Sequence, residues 1–177
     1  SNAVSVTITG GSVNASGGAC SAGIGGGRMG PSGKIIIGTL GGGNQPYVSA
    51  TGGYDGGAGI GSGSGCAHDD VNTVNIAING GTITATPGYI DASTNNTGAD
   101  PGAAIGTGGC ENEASIGNVA YESYFVGTIE LNGGNITAYG ADITRSSGTD
   151  KSKLNVIGTT SEENKAWEGK GVVKFNG

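Results

Sequence analysis

Apolar and polar residues alternate along several short stretches of the chain, and each stretch is followed by a pair of glycines. Near the beginning, Val4, Val6 and Ile8 lie on one side of an extended chain, while the intervening Ser and Thr residues lie on the other. A period of two residues is typical of a β-strand and not of a helix. The glycine pairs, for example Gly10-Gly11 and Gly80-Gly81, predict a turn after each strand.

These stretches are parts of a larger repeat. Each unit has a first strand, a glycine pair, a second strand with Ile or Val two residues before an Ala, and then an Ala-Gly-Ile-Gly element. The shared alanines are Ala15, Ala50, Ala85 and Ala138, and the shared isoleucines of the last element are Ile24, Ile60 and Ile105. A constant motif interrupted by insertions of different lengths is typical of a solenoid.

Two features of the series depart from a simple repeat. The fourth unit, residues 127–140, lacks the Ala-Gly-Ile-Gly element. We expect a shorter unit, formed by residues 153–158 and 171–175, to close the series.

The predicted fold is all-β: a right-handed parallel β-helix (a β-solenoid) of about four to five short coils with loop insertions. The right hand is the strong preference of crossovers between parallel strands, and successive coils would lie about 4.8 Å apart. The side chains predicted to point into the solenoid are Val6, Ile8, Val13, Ile24, Ile36, Val48, Ile60, Ile76, Ile78, Ile83, Ile105, Ile129, Leu131 and Ile136.

Composition agrees with this fold and excludes several function classes. Glycine supplies 40 of 177 residues, and each glycine inside a helix would cost about 1 kcal/mol relative to Ala. A net charge of −6 argues against nucleic acid as a partner. No apolar run approaches the ~18 residues of a membrane-spanning helix, so we expect no membrane insertion.

The chain length fits a single domain. Residues 1–3, Ser-Asn-Ala, have the composition of a remnant left by tag removal, so the β-helix domain is assigned to residues 4–177. Residues 159–177 are expected to form a C-terminal cap, with Trp167 packed over the last coil. No cap is visible at the N-terminal strand, and its uncovered edge predicts end-to-end self-association.

The repeat motif also carries a resemblance to a known family. The string Ile-x-Gly-Gly-x-Ile-x-Ala-x-Gly-Gly, followed by Gly-Ala-Gly-Ile-Gly-x-Gly, covers about residues 4–140. It resembles the Gly-rich β-helix repeats of adhesin-like, carbohydrate-binding surface proteins of Gram-positive gut bacteria. The resemblance implies an extracellular, cell-wall-associated position and supplies no catalytic residues.

Two tyrosines occupy the same position in consecutive repeats. Tyr54 and Tyr89 each follow the shared Ala by four residues, and Asp55 and Asp91 lie beside them. Tyrosines one coil apart could stack a sugar ring while the carboxylates accept its hydroxyl groups. The alternative is that the two rings only shield the corner of the solenoid.

Oxygen-rich insertions suggest calcium as the one cofactor worth considering, since Ca²⁺ prefers carboxylate and carbonyl oxygens. Solvated loops favour Asp and Asn for turn reasons as well, so the alternative is no cofactor at all. The candidate ligands are Asp69, Asp70, Asp91, Asp100, Glu111 and Glu113.

The three cysteines leave one odd thiol. Cys66 lies six residues after Ile60, and Cys110 lies five after Ile105, so both fall at nearly the same point of adjacent coils. The coil spacing lies within the Cα separation of a disulfide. A Cys66–Cys110 bridge and a pair of buried thiols both remain open.

The sequence therefore predicts a non-catalytic binding or adhesion segment of a bacterial surface protein, with a glycan or host surface glycoconjugate as its partner. A structural stalk that only holds another module away from the cell wall is the alternative. A third hypothesis is that the protein is a polysaccharide lyase or a pectinase-like hydrolase, and this hypothesis rests on fold analogy alone. His68 is the only histidine of the chain and lies in an insertion.

Overall fold

The fold was analysed in a computed structural model that describes residues 5–64, 72–89, 101–109, 125–140, 156–158 and 171–176. All regular elements in these ranges are strands. They are β1 (Ser5–Ile8), β2 (Ser12–Ser16), β3 (Ile24–Gly25), β4 (Gly33–Ile37), β5 (Tyr47–Thr51), β6 (Ile60–Gly61), β7 (Asn72–Ile78), β8 (Thr82–Thr86), β9 (Ile105–Gly106), β10 (Phe125–Leu131), β11 (Asn135–Ala138), β12 (Ile157–Gly158) and β13 (Gly171–Phe175).

The strands form three parallel sheets, and each coil of the chain contributes one strand to each sheet. Sheet A has the order β1-β4-β7-β10-β13, sheet B contains β2, β5, β8 and β11, and sheet C contains β3, β6, β9 and β12. The chain is a parallel β-helix of four coils with the first strand of a fifth, as the repeat predicts.

The solenoid interior is a stack of aliphatic residues aligned by the parallel register. Val48 pairs with Ile83, and Ile60 pairs with Ile105. The buried cluster comprises Ile24, Ile35, Ile37, Val48, Ala50, Ile60, Val74, Ile76, Ile78, Ile83, Ala85, Ala104, Ile105, Ile129 and Leu131. Side chains alternate between the two faces of a strand, so only every second residue of a strand points into this stack. No strand therefore supplies more than three residues to it.

One inward assignment from the sequence is wrong. Ile36 is only half-buried, whereas its neighbours Ile35 and Ile37 are fully buried. The register explains this result, since Ile35 pairs with Val6 and Ile37 pairs with Ile8. Three consecutive isoleucines satisfy either phase of the alternation, and only pairing with the neighbouring coil selects one.

The fourth coil also differs from the expectation. Its third strand is present as β12, which pairs with β9 through Ile157↔Ile105 and Gly158↔Gly106. Ile157 and Gly158 therefore belong to the fourth coil and not to the closing unit expected for residues 153–158 and 171–175. Among the described strands, β13 alone belongs to a fifth coil, where it pairs with β10. The remainder of the expected cap, including Trp167, lies outside the described residues.

Glycines in sheet C allow the coils to approach one another closely. Gly25, Gly61 and Gly106 have φ values of 134°, 148° and 144°. A Cβ on each would overlap the carbonyl oxygen of the equivalent glycine in the next coil. The Ile-Gly element therefore combines one inward isoleucine with one position that only glycine can occupy.

Candidate functional site

The two repeated tyrosines lie where the chain turns from sheet B towards sheet C. Tyr54 follows β5 and Tyr89 follows β8, and these strands are neighbours in sheet B. The ring centroids are 6.4 Å apart, with 38° between the ring planes. This distance lies within the range of favourable aromatic pairs. The rings are 44% and 58% exposed, so both offer surface to a ligand as well as to each other.

Backbone hydrogen bonds between coils fix the position of this tyrosine pair. The Asp55 amide donates to the Tyr89 carbonyl (2.9 Å), and one coil earlier the Cys20 amide donates to the Tyr54 carbonyl (2.8 Å). Cys20 and Asp55 share a left-handed backbone, with φ of 58° and 61°. Ala19, which precedes Cys20, therefore occupies the same corner position as the two tyrosines.

Glycine packing behind the tyrosines makes the corner compact. A Cβ on Gly53 would overlap the Gly18 carbonyl oxygen, and a Cβ on Gly88 would overlap the Gly53 carbonyl oxygen. The backbones of three coils thus contact each other directly at the residue before Tyr54 and the residue before Tyr89. We call this surface, formed by Tyr54, Asp55 and Tyr89, the tyrosine corner.

Asp55 is less available than the sequence suggests. Its side chain is half-buried and its Oδ1 atom lies below the protein surface. Contact between this carboxylate and a ligand would therefore have to come from the other oxygen. The second carboxylate expected here, Asp91, lies outside the described residues.

The remaining predicted site residues lie outside the described part of the chain as well. They are the calcium candidates Asp69, Asp70, Asp91, Asp100, Glu111 and Glu113, and the disulfide candidates Cys66 and Cys110. Cys20 is described and is buried. Within the described ranges, no three His, Cys, Asp or Glu side chains are grouped so that they could hold a metal ion. The same ranges contain no helix with the length and apolar character needed to cross a bilayer.

Sequence reasoning missed two further tyrosines on the same side of the solenoid. Tyr47 begins β5 and Tyr139 directly follows β11, and they are 65% and 52% exposed. All four tyrosines in the described ranges thus lie on the outer face of sheet B or at the corner that follows it. Counting outward positions of each second strand would have found Tyr47, because the period of two that places Val48 inside places Tyr47 outside.

Comparison with known proteins supports the repeat architecture. Residues 6–28 and 76–109 match a family model described as "Beta helix repeat". No curated protein and no solved structure matches the chain. The two matched segments contain β2, β3, β8 and β9 together with Tyr89, whereas Tyr54 and Asp55 lie between them.

Proposed function

We propose that this β-helix is a non-catalytic, extracellular binding segment of a bacterial surface protein, and that it recognises a glycan at the tyrosine corner. The exposed pair of Tyr54 and Tyr89 carries the proposal, with its ring centroids 6.4 Å apart. A tyrosine ring offers a large, rigid, amphipathic contact area at low entropic cost. The apolar face of a sugar ring can stack on such a surface while its hydroxyl groups remain hydrogen-bonded at the edge.

The setting of the rings also favours ligand contact. The backbone hydrogen bonds and packed glycines behind them hold the corner in place, so little ordering entropy would be lost on binding. Both rings also keep a large solvent-facing area. A ring that only covered the corner would not need this exposed area. Asp55 contributes a half-buried carboxylate next to Tyr54.

The test begins with a glycan array probed with the wild-type protein, followed by the double variant Tyr54→Ala/Tyr89→Ala. Loss of two stacking contacts of about 1 kcal/mol each should weaken binding roughly tenfold or more. The variant Tyr54→Phe/Tyr89→Phe keeps the rings and should retain most of the affinity. Phe175→Ala, which removes an exposed aromatic ring from sheet A, is the matched control and should bind like the wild type.

Circular dichroism of each variant verifies that the strands are retained. Unchanged affinity in the folded double Ala variant would show that the tyrosine corner is not the binding site. A wild-type protein that binds no glycan on the array would favour the stalk function.

A further inference from the structure

The outer face of sheet B is a regular array of uncharged hydrogen-bonding side chains. Parallel pairing of β2, β5, β8 and β11 aligns their outward residues in three rows that cross the sheet. Tyr139 follows Ala138, the partner of Ala85, and so continues the third row. The rows are Ser12–Tyr47–Thr82–Asn135, Asn14–Ser49–Thr84–Thr137 and Ser16–Thr51–Thr86–Tyr139.

The hydrogen-bonding side chains of this face have no partner among the described residues. None of these twelve side chains makes a hydrogen bond to another group in the described part of the chain. Neighbouring strands lie about 4.8 Å apart and alternate residues about 6.7 Å apart, so the face measures roughly 14 by 13 Å. We call it the hydroxyl face.

The hydroxyl face also differs from the rest of the molecule in charge. The four strands contain no Asp, Glu, Lys, Arg or His, although the chain as a whole has a net charge of −6. By contrast, the outward side of sheet A carries Lys34 and an ion pair in which Lys174 Nζ lies 3.0 Å from Glu130 Oε1. An uncharged face on an acidic protein disfavours anionic ligands and fits a neutral one.

We infer that the hydroxyl face and the tyrosine corner form one continuous surface for a neutral, ribbon-like polysaccharide of the β-1,4-linked type. This inference rests on the proposed function and extends it from one pair of rings to a ligand class. A ribbon with hydroxyl groups along both edges matches straight parallel rows of Ser, Thr and Asn side chains. Tyr47 at one margin, and Tyr139 with the tyrosine corner at the other, supply rings on which sugar residues stack. A coiled polysaccharide does not match the straight rows of side chains, and an acidic polysaccharide is disfavoured by the net negative charge of the protein.

Cellulose derivatives provide a test in which the backbone is constant. Affinity gel electrophoresis would compare soluble hydroxyethyl cellulose, which is neutral, with carboxymethyl cellulose, which carries carboxylates, and with amylose, which is coiled. The wild type should be retarded by hydroxyethyl cellulose at least tenfold more strongly than by the other two at low salt. Equal or stronger retardation by carboxymethyl cellulose or amylose would overturn the ligand class.

Two variants locate the surface. Ser49→Arg places a long charged side chain at the centre of the hydroxyl face and should reduce retardation at least tenfold. Asn75→Arg places the same side chain on the outward side of the central strand of sheet A, and it should leave retardation unchanged.

The outcomes separate this inference from the proposed function. If Ser49→Arg binds normally while Tyr54→Ala/Tyr89→Ala does not, the site is confined to the tyrosine corner, and the extended surface is wrong although glycan binding stands. If no cellulose derivative binds but a different glycan on the array does, the ligand class is wrong. Absence of binding to every glycan overturns both proposals.

Discussion

At the scale of single residues, the phase of the alternation decides which side chains stabilise the solenoid. Ile35 and Ile36 are adjacent and chemically identical, yet Ile35 is fully buried and Ile36 is half-buried at the outer surface. Burial of an aliphatic side chain contributes stability only where neighbouring atoms surround it. The same substitution at Ile35 and at Ile36 therefore changes composition and strand propensity equally, and a difference in stability between the two variants measures interior packing.

We expect Ile35→Ala to lower the free energy of unfolding by about 2–5 kcal/mol, because it leaves a cavity in the interior. Ile36→Ala, the matched control on the same strand, should cost about 1 kcal/mol or less, since most of the lost area already faces solvent. Urea denaturation followed by circular dichroism measures both values. A larger loss for Ile36→Ala than for Ile35→Ala would contradict the register between β1 and β4.

At the scale of the elements, the glycines that follow each inward isoleucine in sheet C permit the tight stacking of coils. Gly61 has a φ of 148°, and a Cβ there would overlap the carbonyl oxygen of Gly106. Gly18, at the corner between β2 and β3, has open space where a Cβ would be placed, and its φ is not in the left-handed region. Gly61 is therefore required for the close approach of two coils, whereas Gly18 is not constrained in this way.

Gly61→Ala should destabilise the protein by roughly 3 kcal/mol or more, because backbone strain adds to a steric overlap that no flexible side chain can relieve. Gly18→Ala should change stability by less than about 0.5 kcal/mol. Thermal unfolding of the two variants compares these values directly. Similar melting temperatures would show that the close approach of Gly61 to Gly106 is not required.

The sequence predicts the elements better than it predicts the site. The alternation of Val6 and Ile8, the turns at the glycine pairs and the recurring Ile-Gly element each reflect a local rule, so they indicate three strands per coil without a structure. The phase of Ile35–Ile37 and the place of Ile157 depend on pairing with a distant coil, and a local pattern does not contain that information. The equal repeat positions of Tyr54 and Tyr89 predict that they lie on neighbouring coils, but not the distance and angle between their rings. The hydroxyl face required the register of four strands.

At the scale of the whole molecule, the first coil of the solenoid buries its apolar residues less completely than the second coil does. Val6, Ile8, Val13 and Ala15 in the first coil are half-buried, whereas their partners Ile35, Ile37, Val48 and Ala50 in the second coil are almost completely buried. Strands β1, β2 and β3 each have one partner strand among the described elements. A strand edge without a second partner among the described strands, with apolar residues behind it, favours pairing with another chain.

Light scattering should therefore show concentration-dependent association of the wild type. Val6→Lys, which directs a charge into this end of the stack, should reduce that association, and Asn75→Arg, which adds a charge in the middle of sheet A, should not. Monomeric behaviour of the wild type at high concentration would count against association through this end.

Ligand binding at the tyrosine corner can be tested by titrating ¹⁵N-labelled protein with a soluble oligosaccharide identified on the array and following the backbone amide shifts. We expect the largest shifts at Tyr54, Asp55 and Tyr89, smaller shifts along β5 and β8, and none along β4 and β10. Shifts concentrated on sheet A, or no shift at saturating oligosaccharide, would contradict binding at the tyrosine corner.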